Sequence, residues 1–240
     1  MNEQIDLEGI LLIDKPSGMT SHDVVDRVRR TLRMKRVGHA GTLDPMATGL
    51  LIMLIGKATK LSQYVMSLDK VYSGTIKLGE ATNTYDADGE VMTTKPVPEL
   101  SDEDVKKFME QFIGDQYQTP PMFSAIKIKG QPLYKMARKG QEIEREPRFV
   151  RISKFELLSF ESPTIEFSLS CTKGTYVRSV AQEIGEKIGC GAHLSSLRRD
   201  ASDEFTTDRA VELDKFMQMT PTEVSKILIP GHKALPGSML

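Results

Sequence analysis

Short strand patterns and short amphipathic helix patterns follow one another along this chain without strict alternation. Residues 9–13 form a brief apolar run that ends in a Pro-Ser-Gly turn, and residues 71–78 alternate with a period of two. Thr20 and Asp23 have capping-box spacing before a helix whose valines recur on one face. Regular βα alternation would indicate a parallel sheet. The irregular order instead predicts an α+β fold with a mixed β-sheet and flanking helices.

The apolar residues are sufficient for a sizeable core but not for a membrane span. Hydrophobic residues make up 39% of the 240 residues, and the longest apolar run covers six residues, 50–55. A membrane helix needs about 20. The polar, acidic N-terminus shows no signal-peptide pattern, and the two cysteines, Cys171 and Cys190, give no disulfide framework. We therefore expect a cytoplasmic protein without membrane contact.

The net charge of −1 hides a strong asymmetry along the chain. Residues 23–60 and residues 119–151 each hold eight Lys or Arg and three acids, a balance of +5. Residues 80–115 hold three bases and ten acids, a balance of −7. Such segments can attract a polyanion to one face and repel it from another, although ordinary solvated surface explains the charges equally well.

Known metal and cofactor motifs do not occur in the chain. Four histidines and two distant cysteines give no zinc spacing, and residues 86–89 resemble a calcium loop whose first and last ligand positions are wrong. No phosphate loop or dinucleotide fingerprint follows a strand. We therefore predict no metal site and no cofactor.

A glycine-rich turn at residues 38–45 is the strongest candidate for chemistry. Gly38 and Gly41 permit unusual backbone angles, and Pro45 favours an extended conformation at Asp44. The turn lies between a basic helix pattern and a buried strand pattern, so it presents one carboxylate beside cationic surface. Asp44 as an ordinary turn-forming residue is the alternative interpretation.

The residues of this turn resemble a catalytic motif, and further segments match the same family in the same order. The turn and the residues directly after it contribute His39-x-Gly41-Thr42-Leu43-Asp44-Pro45-x-x-x-Gly49. The other matching segments are Asp14-Lys15-Pro16-x-Gly18-x-Thr20-Ser21, Lys70-x-Tyr72, Leu78-Gly79, Asp86-Ala87-Asp88-Gly89, Pro120-Pro121-x-x-Ser124-Ala125, Gly174-Thr175-Tyr176-x-Arg178 and His193-Leu194-x-x-Leu197-Arg198-Arg199. Together, over residues 9–200, they resemble the bacterial tRNA pseudouridine synthases that modify uridine 55 in the TΨC arm.

The resemblance implies both a reaction and a domain organisation. Enzymes of this family are isomerases: the N1–C1′ bond of uridine breaks, the uracil rotates, and C5 rejoins C1′ without a cofactor. Residues 1–204 would form a catalytic domain of the pseudouridine synthase type. Residues 205–240 would form a short C-terminal tail, too short for the complete PUA-type RNA-binding domain of many relatives. We expect a monomer.

The resemblance also assigns the catalytic residues Asp44, Tyr72 and Arg178. Asp44 must be ionised to act, and a buried guanidinium at Arg178 would keep its pKa low. Three roles for the carboxylate stay open: attack at C1′, attack at C6, or removal of a ribose proton. A base in a folded loop must leave its stack before it can react, and Tyr72 would stack on the flipped uracil.

The remaining site residues follow from the same resemblance. His39 would meet the RNA beside the flipped nucleotide, and Tyr176 would line the pocket. Leu197 would lie against the base. Lys15 would shape the pocket wall, and Asp86 would touch loop nucleotides or simply form a turn.

The basic segment at residues 119–151 resembles the family's RNA-gripping insertion. Its cationic side chains would neutralise phosphates and make tRNA binding salt-dependent. These predicted backbone contacts are Lys127, Lys129, Lys135, Arg138 and Lys139. The alternative function is an RNA-binding or RNA-folding factor that acts on tRNA without needing the chemistry.

Overall fold

The computed structural model describes residues 7–128 and 130–234. Strands and short helices are interleaved along these residues. The strands, in chain order, are β1 (Gly9–Lys15), β2 (Val37–Ala40), β3 (Thr48–Ile55), β4 (Lys70–Leu78), β5 (Glu80–Thr82), β6 (Val91–Thr94), β7 (Gly114–Gln118), β8 (Lys127–Ile128), β9 (Gln131–Pro132), β10 (Arg148–Glu161), β11 (Thr164–Cys171), β12 (Ala192–Ser202), β13 (Phe205–Thr206) and β14 (Val211–Glu212). The α-helices are α1 (Ser21–Leu32), α2 (Ser62–Ser67), α3 (Asp102–Glu110), α4 (Leu133–Ala137), α5 (Val177–Ile188), α6 (Leu213–Phe216) and α7 (Pro221–Ile227), and 3₁₀ turns occupy Gly56–Leu61, Thr207–Arg209 and Gly231–Ala234.

The chain divides into two compact units. The first unit joins the residues up to Val71 with those from Arg198 onward, and the second runs from Tyr72 to Leu197. Strand β12 begins in the second unit and ends in the first.

The first unit is a mixed sheet with the order β14-β1-β3-β12. Strands β1 and β3 are antiparallel, whereas β14 pairs with β1, and β12 with β3, in parallel. Both central strands are almost entirely buried, as the apolar sequence of β3 predicts. Ile10, Leu12 and Ile52 pack in one cluster with Val65 and Phe205. The apolar run at 50–55 is therefore a core strand.

The second unit carries the strand order β12-β4-β11-β10-β7. Strands β10 and β11 form a long antiparallel hairpin, and β7 lies antiparallel to β10 at the edge. Phe155 packs edge to face against both Phe112 and Phe167, with ring centroids 6.4 and 5.5 Å apart. A small hairpin, β5-β6, precedes α3.

Most predicted elements are confirmed, and the fold is the predicted α+β class with a mixed sheet. The predicted capping box at Thr20 forms, and another forms at Ser101: the two hydroxyls accept from the Asp23 and Asp104 backbone N–H groups, and each carboxylate accepts from the N–H of the cap residue. The prediction of one turn over residues 38–45 is wrong in part. Its first residues belong to β2, which pairs with β3, and only the residues after Ala40 turn.

The basic insertion contains a short helix, α4, and its small hairpin, β8-β9, is not predicted by the sequence. Strand β12 was likewise not predicted. No helix within the described ranges combines the length and apolar character needed to cross a membrane.

Candidate active site

The turn that carries Asp44 is held from within the first unit by helix α1. Ser21, the first residue of α1, is buried, and its hydroxyl bonds to both backbone groups of Leu43. The Leu43 N–H donates to Ser21 Oγ at 2.9 Å, and Ser21 Oγ donates to the Leu43 carbonyl at 3.1 Å. The capping box at Thr20 fixes where α1 begins, and therefore where this hydroxyl lies.

The other side of Asp44 is held by the segment that follows β1. The Pro45 carbonyl accepts from the Gly18 N–H at 2.8 Å and from Lys15 Nζ at 3.2 Å. Lys15 is fully buried, and its ammonium also donates to the carbonyls of Pro16 and Met19 at 2.8 and 2.7 Å. Asp44 itself is half-buried, between two clamped neighbours. Its backbone is therefore preorganised without RNA.

Arg199 reaches the same turn from β12. Its Nε donates to the Leu50 carbonyl at 2.7 Å and its Nη2 to the Gly41 carbonyl at 3.2 Å. Gly41 has φ +91°, a backbone conformation that residues with a Cβ rarely adopt, so the turn favours glycine at this contact. Arg199 was not among the predicted site residues.

His39 lies on β2, half-buried, immediately before the turn. Burial lowers the pKa of its imidazole below 6.5, and the nearby charges of Arg199 and His22 lower it further, against a hydrogen bond to the Gly41 backbone. The ring is therefore neutral at neutral pH. Its Nδ1 is buried and has no hydrogen-bond partner among the residues that the structure describes.

In the second unit, Arg178 forms a buried ion pair with Asp86. Arg178 Nη1 lies 3.3 Å from Asp86 Oδ2, and both side chains are only 5% exposed. The guanidinium also donates to the carbonyls of Thr84 and Phe123 at 3.0 and 2.9 Å. Asp86 is fixed in turn, because its Oδ1 accepts from Thr84 Oγ1 at 2.6 Å and from the Asp88 N–H at 3.1 Å. The Asp86 carboxylate therefore orients Arg178.

Gln118 holds Tyr176 by both of its backbone groups. The Tyr176 N–H donates to Gln118 Oε1 at 2.7 Å, and Gln118 Nε2 donates to the Tyr176 carbonyl at 3.1 Å. Tyr176 is the residue before α5, so this clamp also sets where the helix that carries Arg178 begins. Sequence reasoning missed Gln118, because the contact spans 58 residues and no local pattern marks it.

The two other predicted pocket residues lie on strands of the second unit. Tyr72 is half-buried on β4, and Leu197 is 8% exposed on β12. Ser195 Oγ donates to the Thr75 carbonyl at 3.0 Å, a contact that ties β12 to β4. Both side chains thus come from fixed positions on paired strands.

The predicted phosphate contacts lie in the basic insertion, at the solvent surface. Lys127, Lys135, Arg138 and Lys139 are exposed, and the Arg138 guanidinium lies 5.7 Å from the centre of the Tyr134 ring. Lys129 lies outside the described residues. No group of His, Cys, Asp or Glu in residues 7–128 and 130–234 is arranged to hold a metal ion.

Comparison with known families identifies the class of enzyme. A model of the "TruB family pseudouridylate synthase (N terminal domain)" matches residues 29–177, and one of the "tRNA pseudouridylate synthase B C-terminal domain" matches residues 178–235. The chain resembles Cbf5 in a crystal structure of a Cbf5-Nop10-Gar1 complex, with a TM-score of 0.75 and 27% identity. That match covers 94% of this chain and 61% of the other. The fold is that of a pseudouridylate synthase, and the class of enzyme is an isomerase.

Curated relatives narrow the class to one family. The chain is 59% identical over 231 residues to tRNA pseudouridine synthase B of Opitutus terrae, a match that covers 96% of both chains. It is 44% identical to the enzyme of the same name from Syntrophotalea carbinolica, over 95% of this chain and 75% of that one. The chain belongs to the TruB family of tRNA pseudouridine synthases, the family that makes pseudouridine 55. The predicted family and enzyme class are confirmed.

Proposed function

We propose that this chain converts uridine 55 in the TΨC loop of tRNA to pseudouridine, with Asp44 as its catalytic carboxylate. The observation that carries the proposal is the clamp on both peptide neighbours of Asp44, made by Ser21 and Lys15. A backbone that is already fixed loses little conformational entropy when the base arrives. The N1–C1′ bond breaks and a C5–C1′ bond forms. The C5 proton passes to solvent and N1 gains a proton, so the product is an isomer of the substrate.

Arg178 is proposed as the cation that keeps Asp44 ionised in the enzyme–RNA complex. Its own position supports this role, because Asp86 holds the guanidinium in a buried, fixed orientation. A guanidinium carries five N–H donors, so one arginine can serve two carboxylates and backbone carbonyls at once. Asp86 then acts on the reaction through Arg178, and direct contact of Asp86 with loop nucleotides remains a prediction.

The flipped uracil is proposed to stack on Tyr72, with Tyr176 lining the pocket and Leu197 against the base. Extrusion of the base costs a few kcal/mol, and stacking on an aromatic ring recovers about 1–3 kcal/mol. His39 would fill the disrupted RNA stack as a neutral ring. Lys15 would shape the pocket wall, and its buried ammonium supports this by fixing the carbonyls of Pro16, Met19 and Pro45.

The basic insertion is proposed to grip the TΨC arm through its phosphates. The exposed cations Lys127, Lys135, Arg138 and Lys139 support this, and Lys129 completes the predicted set. Specificity would come from loop shape and splayed bases, as is usual for RNA.

We further propose that residues 1–204 act as the catalytic domain, with 205–240 as a tail, in a monomeric cytoplasmic enzyme. Both cysteines are free and buried, which suits a reducing compartment.

The test uses unmodified tRNA that carries tritium at uracil C5. The wild type should release tritium from a single uridine, and Asp44→Asn should release none while still binding tRNA. Asp69→Asn is the matched control, because Asp69 is exposed in the same unit, and it should keep wild-type activity. Tritium release by Asp44→Asn would refute the role of Asp44. If Asp44→Asn lost no cellular benefit of the wild type, RNA folding without chemistry would be the function.

A further inference from the structure

Arg199 is a buried cation whose charged group contacts the catalytic turn rather than a carboxylate. The side chain is 2% exposed. Its guanidinium donates to the carbonyls of Leu50 and Gly41, and no carboxylate in the described ranges lies within ion-pair distance of it. Burying a cation without a carboxylate partner is costly, and an apolar side chain would fill the same space more cheaply. Stability alone therefore does not explain an arginine here.

The two carbonyls that Arg199 holds stand at opposite ends of one loop. Gly41 follows β2 and precedes Asp44, and Leu50 lies in β3, beyond Asp44. One rigid, planar guanidinium that bonds to both ends sets their separation. Lysine has a single terminal nitrogen on a flexible stem and would not reproduce this geometry.

The backbone of Arg199 is itself closely fixed. Arg199 is paired with Gly49 in the parallel register of β12 and β3. Gly49 has φ +94°, and a Cβ there would lie 2.3 Å from the Arg199 carbonyl oxygen. The two strands approach this closely only because residue 49 is glycine. The Arg199 side chain therefore extends from a fixed backbone position toward the turn.

We propose that Arg199 is a positioning residue of the isomerisation, which holds the loop from Gly41 to Leu50 so that Asp44 meets the uridine in its reactive geometry. The inference rests on the proposed role of Asp44. The charge of Arg199 also reaches the nearby His39 imidazole on β2 and contributes to its lowered pKa.

The test compares Arg199→Lys with the wild type in the tritium-release assay, with tRNA affinity measured on the same samples. A displacement of about 1 Å in a reacting group costs on the order of 10²-fold in rate. We expect kcat, normalised to the concentration of enzyme that binds tRNA, to fall by about 10- to 100-fold in Arg199→Lys. KM and tRNA affinity should stay within about twofold of the wild-type values.

The pH dependence provides a readout that a purely structural role would not change. A buried lysine without a carboxylate partner loses its proton more readily than arginine does. The ratio of wild-type kcat to Arg199→Lys kcat should therefore grow as the pH is raised from neutral into the alkaline range. A constant ratio would show that the charge of residue 199 does not act on the reaction.

Arg198→Lys is the matched control, because Arg198 precedes Arg199 on the same strand. Its guanidinium pairs with Asp14 at 3.1 and 2.7 Å, and its kcat should change by less than about twofold. An unchanged kcat in Arg199→Lys, or loss of folding and tRNA binding together with activity, would overturn the proposal. An active Asp44→Asn enzyme would instead refute the role of Asp44, so the two failures are distinguishable.

Discussion

Among single residues, backbone carbonyl groups surround the buried cations of the first unit. Three carbonyl oxygens accept from Lys15, and two accept from Arg199. Carbonyl dipoles satisfy N–H donors of Arg199 without cancelling its charge, as a carboxylate would. The positive potential of Arg199 is therefore kept at the turn that carries Asp44.

His39 gives a prediction of pH dependence at this scale. Its pKa is lowered in the folded protein, so the unfolded chain takes up the proton first as the pH falls below 6.5. Stability conferred by the neutral ring should therefore be complete near neutral pH and be lost on acidification. Proton NMR of the imidazole, assigned by its loss in His39→Gln, should give a pKa below 6.5. A value of 6.5 or above would contradict the burial of the ring.

The neutral ring has a second consequence for RNA binding. An uncharged imidazole releases no counterion when RNA binds, so His39→Gln should leave the salt dependence of tRNA affinity unchanged.

The residues of the site could be predicted to different degrees. Asp44 could be predicted as a candidate because glycine, aspartate and proline at this spacing indicate a turn locally. The family resemblance then implied its role. Gln118 and Arg199 could not be predicted, because each bonds to backbone groups that are distant in sequence. Gln118 reaches across 58 residues, and Arg199 reaches across 149 or more. Side-chain bonds to backbone leave no mark in the partner's residue type.

At the scale of elements, the sequence predicts those helices and strands whose pattern is local. It does not predict a strand whose conformation depends on pairing with distant strands. The start of α1 follows from Thr20 and Asp23 alone. Strand β12 mixes buried His193 and Arg199 with apolar Leu194 and Leu197, so no period of two is visible in its sequence. Its strand conformation comes from pairing with β3 and β4, whereas its buried His193 bonds to the Glu80 carbonyl of β5.

The basic insertion yields a prediction about salt. Lys135, Arg138 and Lys139 are exposed on or beside α4, so replacing all three by alanine should weaken tRNA binding. For every phosphate that is no longer neutralised, the log–log salt slope should fall by about 0.7–0.9, with kcat at saturating tRNA unchanged. Binding isotherms at several salt concentrations measure this slope.

A triple alanine variant of equal charge change serves as the control. Lys95, Lys106 and Lys107 are exposed in the acidic segment at residues 80–115, and their replacement should leave the slope within error. Equal effects from the two triple variants would show that net charge, rather than the insertion, determines binding.

At the scale of the whole molecule, the residues after 204 contribute to the core of the first unit. Phe205, Leu213, Phe216 and Val224 are each at most 1% exposed. Strand β14 pairs with β1, and Ile229 exchanges backbone hydrogen bonds with Ile10 at 2.8 and 2.9 Å. The sequence pattern of this stretch is weak because its helices and strands are short. Each buries at most two side chains in the first unit, whose central strands come from earlier in the chain.

Phe216→Ala should therefore destabilise the protein although Phe216 is not among the proposed site residues. A fully buried phenylalanine truncated to alanine costs about 3–5 kcal/mol in the free energy of unfolding. Denaturant unfolding should show this destabilisation, and Met217→Ala, at a neighbour that is 39% exposed, should stay within about 0.5 kcal/mol of the wild type. A cost below about 1 kcal/mol for Phe216→Ala would show that the tail is not part of the cooperative core.

The first unit also has a consequence for the order of events on the ribosome. Arg199 bonds to Leu50 and Gly41 across 149 and 158 residues. The loop that carries Asp44 is therefore synthesised long before the arginine that holds both of its ends. At about 5–20 residues per second, translation delivers Arg199 roughly 7–30 seconds after Leu50. Through that interval β3 lacks its β12 neighbour and β1 lacks β14. A nascent chain therefore carries every residue of the Asp44 turn, yet cannot assume its final shape until synthesis has passed residue 199.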